Sequence, residues 1–121
     1  MMNFEEFGEA MSSYRQSAND EGVRMRDPYL ALERLRALYE KFDVSERAMA
    51  DQVLAGWALS NDEGLRFDAL ALIDDLEIRT ALDALRELSR RLRSSKAVSA
   101  PFEIKKVRRI IERLLSTKAE H

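Results

Sequence analysis

The chain has 121 residues, 45% of them hydrophobic and 35% charged, with four glycines, two prolines and a net charge of -2. That length supports one domain with a single core, and the composition excludes a disordered or fibrous chain. The absence of cysteine excludes disulfides, thiolate nucleophiles and cysteine-based zinc or iron–sulfur sites.

Apolar residues recur at helical spacing and no segment alternates with period two, which predicts an all-α compact bundle of about six helices, connected closely enough to make neighbours antiparallel. Asn3 and Glu6 form a capping box that opens a first helix to about Ala18; residues 19–26, NDEGVRMR, read as a flexible joint, leaving that helix either docked or mobile. Asp27 before Pro28 marks the start of a second helix, with Pro28, Ala31, Leu32, Leu35, Leu38, Tyr39 and Phe42 on one stripe. Ser45 is placed to cap a third helix, whose Met49, Val53, Gly56 and Trp57 share a face, Trp57 reading as core and Gly56 as a close helix crossing. Ser60 with Glu63 opens a fourth helix, apolar over much of its circumference through Leu65, Phe67, Ala69, Leu70, Leu72, Ile73 and Leu76, and so expected to be the most buried. A fifth helix runs from about Ile78 to Arg93. After SSKAVSAP a sixth carries Ile104, Val107, Ile110, Ile111, Leu114 and Leu115.

The carboxylates of the fourth helix do not read as a metal or acid/base site. Asp68 and Asp75 stand about 10 Å apart along the axis, Asp74 and Asp75 diverge by about 100°, and the single histidine is the terminal His121. Asp62 to Arg66 and Asp75 to Arg79 instead have the i,i+4 spacing of exposed helix pairs. No phosphate loop, nucleophile elbow or zinc-protease motif is present, so neither an enzyme nor a cofactor is expected.

LRFDALALIDDLEIRTALDAL with the following RELSRRL resembles one HEAT-type helix pair. Leu65 and Arg66 stand in the valine-arginine position, Ala69 and Ile73 lie on the inner face, and Ala81, Leu82, Leu85 and Leu88 follow a short turn. The resemblance covers about 28 residues and implies a scaffold that presents a surface; no second copy precedes residue 60.

Charge is strongly segregated. Residues 1–85 hold 9 basic and 18 acidic residues, and residues 86–121 hold 11 basic and 4 acidic. Such a field steers association. The leading expectation is a non-catalytic protein-binding module, similar in size and helix content to small bacterial immunity proteins. Asp62, Glu63, Asp74, Asp75 and Glu77 would face a cognate toxin's basic cleft, with Tyr29 and Leu30, both off the stripe of the second helix, either docked on the first helix or exposed as an anchor. The alternative uses Arg79, Arg86, Arg90, Arg93, Lys105, Arg109 and Arg113 against nucleic acid or an acidic partner. Overall acidity and a lack of aromatics interleaved with these cations weigh against nucleic acid. No run is apolar enough to span a bilayer and the acidic start is unlike a signal peptide, so a cytoplasmic location is expected.

Overall fold

The computed structural model describes residues 2–119. It is all-α: six helices and one 3₁₀ turn, with no strand among the described residues. The helices are α1 (Phe4–Met25), α2 (Leu30–Lys41), α3 (Val44–Ala58), α4 (Glu63–Asp75), α5 (Leu82–Arg93) and α6 (Ala100–Ala119), with the 3₁₀ turn at Arg79–Ala81 before α5. Two compact units result, one ending at Val53 and the other beginning at Leu54, so the division falls within α3.

In the first unit α1 packs against α2. Asn3 and Glu6 make the expected reciprocal box at the start of α1. The helix does not stop near Ala18, however: residues 19–25 of the expected joint are its last two turns. Phe7, Met11, Ala18 and Gly22 form its buried stripe. Gly22 is needed here for space rather than flexibility, since a Cβ would lie 2.7 Å from the Asp27 carbonyl oxygen. The helix ends in a Schellman turn: Asp27 N–H donates to Gly22 O at 2.8 Å and Arg26 N–H to Val23 O at 3.3 Å. Arg26 holds the left-handed position, at φ 56°, that glycine usually fills.

Asp27 and Pro28 do not open α2 as expected. The Asp27 carboxylate accepts from Tyr29 N–H at 3.0 Å, a local turn that spends the capping oxygen before Leu30, where the helix begins. Leu30 is buried together with Ala31 and Leu35. Arg34 and Glu21 form a two-bond ion pair between α2 and α1, and it holds the Glu21 carboxyl below its ordinary pKa.

Asp43, not Ser45, caps α3. Its carboxylate accepts from Glu46 N–H at 2.8 Å while Glu46 accepts from Asp43 N–H at 3.0 Å. Three residues after Ser45 comes Ala48, which has no side chain to complete a box, whereas Asp43 has Glu46. Arg47 then reaches back to the Tyr39 and Glu40 carbonyls at 3.3 and 3.0 Å, covering the end of α2. Val53, Leu54, Trp57 and Ala58 are buried on α3, but a Cβ at Gly56 would meet open space, so this glycine marks no helix crossing.

In the second unit α6 packs against both α4 and α5. Asp62 rather than Ser60 caps α4, accepting from Leu65 N–H at 3.0 Å, and the Ser60 hydroxyl accepts from Asp62 N–H at the same distance. Ala69, Leu70, Leu72 and Ile73 are buried on α4, in keeping with its apolar composition. Phe67 is the exception, at 48% exposed. A second Schellman turn ends α4, with Ile78 N–H on Ile73 O at 3.0 Å and Glu77 at φ 53°. Leu85, Leu88 and Leu92 of α5 face the core, as do Val107, Ile110 and Leu114 of α6. Asp68 and Ser89 are also buried, and no buried side-chain nitrogen or oxygen among the described residues lacks a partner.

Candidate protein-binding surfaces

The five carboxylates expected to form one acidic surface do not come together. Asp62 and Glu63 begin α4, and Asp74, Asp75 and Glu77 lie at or just beyond its far end, about 18 Å away along the axis. They are also engaged differently. Asp62 serves as the cap, Asp74 accepts from Arg113 at 3.2 Å, and Glu77 occupies the left-handed turn. The i,i+4 pairing of Arg66 with Asp62 gives way to a longer-range one: the guanidinium donates to both Glu103 oxygens, at 2.8 and 3.0 Å, and to the Ser60 carbonyl at 3.0 Å. Tyr29 is exposed as an anchor would be, while Leu30 is buried against the Gly22 turn and offers nothing to a partner.

The basic residues are likewise partly neutralised. Glu87 takes Arg90 and Arg91 together, and their bonds lower its pKa; Arg86 lies 3.7 Å from Asp83 and Arg113 is bonded to Asp74. Lys105 and Arg109 stand exposed on α6, and Arg93 is exposed at the end of α5. The Lys106 ammonium sits 4.0 Å from the centre of the Phe67 ring, where burial pushes its pKa down. Aromatics therefore do accompany the cations of α6: besides Phe67, Phe102 is 72% exposed on the same helix. The sequence concealed this because Phe67 sits in an apolar run that reads as core.

A concave surface in the first unit uses none of the expected site residues. It is a groove of about 520 Å³ walled by α1, the end of α2 and the start of α3. Met2, Met11, Tyr14, Leu38, Phe42 and Met49 are among the residues that line it. Phe7 supports it from below, with its ring centre 5.1 Å from that of Phe42. Among the described residues the only charged ones in the lining are Asp43 and Glu46, the pair that caps α3. Phe7, Met11 and Tyr14 follow an i, i+4, i+7 pattern on α1, a signal present in the sequence but one that a helix docked on a core shows equally.

Beside the groove, Tyr39 donates to the Asp51 carboxylate at 2.7 Å and Arg47 lies over the tyrosine ring, 5.4 Å from its centre. Burial first, and then the bond to Asp51, raises the phenol pKa to about 12; burial also raises that of Asp51, against the lowering effect of the tyrosine bond.

Among the described residues no three histidine, aspartate, glutamate or cysteine side chains cluster to hold a metal ion, and no helix is long and apolar enough to cross a membrane. Compared with protein-family models, curated proteins and solved structures, the chain matches none.

Proposed function

We propose that the chain is a non-catalytic protein-binding module, and that the groove of the first unit receives the apolar face of a basic amphipathic helix from its partner. The observation that carries this reading is the lining: methionines and aromatic rings, Met2 and Tyr14 among them exposed to solvent, with two carboxylates and no cation among the described residues. Methionine surfaces adapt to varied apolar side chains, and a groove between helices suits anchors at i, i+3 or i+4, and i+7. The volume also falls in the range of small-molecule pockets, about 300–1,000 Å³. Such sites, however, orient their ligands through convergent polar groups, and here the Asp43 and Glu46 carboxylates are turned to the α3 backbone. Their charge still favours a cationic neighbour, which speeds encounter with a basic partner. An inhibitor that covers a toxin's basic active site, as small bacterial immunity proteins do, belongs to this class. So does the HEAT-type scaffold that the α4–α5 sequence resembles.

Fluorescence anisotropy tests the reading with a labelled 18-residue amphipathic helix carrying leucine and phenylalanine on one face and lysine at its flanks. Saturable binding is expected, weakened about tenfold or more by Tyr14→Lys or Met49→Lys in chains that keep their helical circular dichroism. Absence of saturable binding, or binding indifferent to both substitutions, would exclude the groove as the docking site.

A further inference from the structure

The second unit carries an independent surface that the groove reading does not use. Between α4 and α6 lies a cleft of about 240 Å³ lined by Phe67, Leu70 and Phe102, with Glu63, Ser99, Glu103 and Lys106 completing it. We propose that this cleft docks an acidic segment of a partner protein through one aromatic or large aliphatic side chain.

Size and shape set the anchor. The cleft has the volume of about eight water molecules, room for one large side chain and not for a helix. Leu70 is fully buried and forms its floor, while Phe67 and Phe102 remain half and nearly three-quarters exposed. Two exposed rings flanking an apolar floor lose hydration on contact, as at the centre of an interface.

Charge sets the rest of the segment. Of the two carboxylates in the lining, Glu103 is cancelled by both bonds from Arg66, leaving Glu63. Opposing it are the cations of α6: Lys106 inside the cleft, and Lys105, Arg108 and Arg109 exposed on the same helix. Lys105 and Arg109 are one helical turn apart, a like-charge spacing that destabilises a helix unless something opposes it. Other cations of this unit have such opposition, Arg113 in Asp74 and Arg66 in Glu103. Lys106, meanwhile, is held over a ring in a half-buried site that lowers its pKa, a cost that an arriving carboxylate would relieve.

The same cations meet phosphate as readily as carboxylate, but the aromatics separate the two. Lys106 occupies one face of Phe67, which reduces the ring surface left for stacking a nucleobase. Glu63 also stands in the cleft lining, where a phosphate backbone would pass. A protein segment needs only one ring in the cleft and can place its few carboxylates toward the α6 cations rather than at Glu63, whereas a nucleic acid carries a phosphate at every nucleotide.

A display library of random dodecapeptides panned on the full chain supplies the probe, and the most enriched peptide containing acidic residues around an aromatic is then labelled for anisotropy. Its affinity is expected to fall about tenfold or more with Phe102→Ser and with the pair Lys105→Glu and Arg109→Glu, and to weaken as salt rises. Tyr14→Lys should leave it unchanged, which separates this site from the groove of the first unit. Phe102 is exposed, so its replacement leaves the core intact, and Phe102→Leu should restore most of the binding. Failure to enrich any acidic peptide, or binding insensitive to the α6 substitutions, would overturn the proposal. So would a labelled single-stranded oligothymidylate that binds more tightly than the peptide.

Discussion

Arg66 and Glu103, on α4 and α6, are joined by two bonds of 2.8 and 3.0 Å with side chains only 15% and 13% exposed. Such a shielded bidentate pair gains geometry as well as charge, and each partner becomes a liability without the other. Arg66→Ala should therefore destabilise the fold by about 2–3 kcal/mol, as expected for hydrogen bonds to charged groups. Arg66→Met combined with Glu103→Leu should recover most of that, because no buried charge is left unpaired. Urea unfolding decides it: the midpoint of the single variant should drop at unchanged slope, and a double variant no better than the single would contradict the account.

Gly22 and Gly56 predict opposite responses to the same substitution. Alanine at 22 places a methyl 2.7 Å from the Asp27 carbonyl oxygen and should destabilise by about 1–3 kcal/mol, the range for overpacking. Alanine at 56 meets nothing within 4 Å and should stabilise by about 0.5–1 kcal/mol, because glycine is a poor helix former. In thermal melts, a stabilising Gly22→Ala would show that the α1–α2 turn is not as tight as described, and a destabilising Gly56→Ala that position 56 is not open.

Arg26 and Glu77 both occupy left-handed positions, at φ 56° and 53°, where a side chain costs roughly 1–2 kcal/mol. Replacing either with glycine should raise stability by up to about 1 kcal/mol, after allowing for glycine's greater freedom in the unfolded chain. The melting temperature checks this, and a decrease at both sites would mean that the side chains hold the turns in some other way.

Tyr39 links stability to pH. Its folded pKa, about 12, lies above the ordinary 10, so between these values the native state holds a proton that the unfolded state has lost. The contribution is complete below pH 10 and is lost as pH rises toward 12. Asp51 works in the acid range with the same sign: its raised pKa makes ionisation cost stability as pH climbs above 3.8. Tyr39→Phe should thus flatten the fall in unfolding free energy between pH 10 and 12. It should also destabilise at neutral pH by about 1–3 kcal/mol, since Asp51 loses its donor. An unfolding curve measured at each pH tests both, and an alkaline slope that survives the substitution would assign it to other groups.

Features set by neighbours in the chain were legible in the sequence. The Asn3–Glu6 box, the helical period from Phe4 to Ala119 and the core stripes of α5 and α6 depend on residues three or four apart, which sequence spacing displays directly. The Asp43–Glu46 box is equally present in the sequence, but Ser45 beside it is also a good capping residue and competes with it. Helical spacing could not tell where α1 ends: residues 19–26 look like a joint until Gly22 is seen to make room for the Asp27 carbonyl and Leu30. Nor could it pair Arg66 with Glu103 or Asp74 with Arg113, since which opposite charge wins depends on distance in space. For the same reason Phe67, apolar among apolar neighbours, reads as core in the sequence although it is half exposed. Hydrophobic pattern fixes which residues favour burial, but the number of helices that reach a given face decides which remain exposed, and with them where a partner can bind.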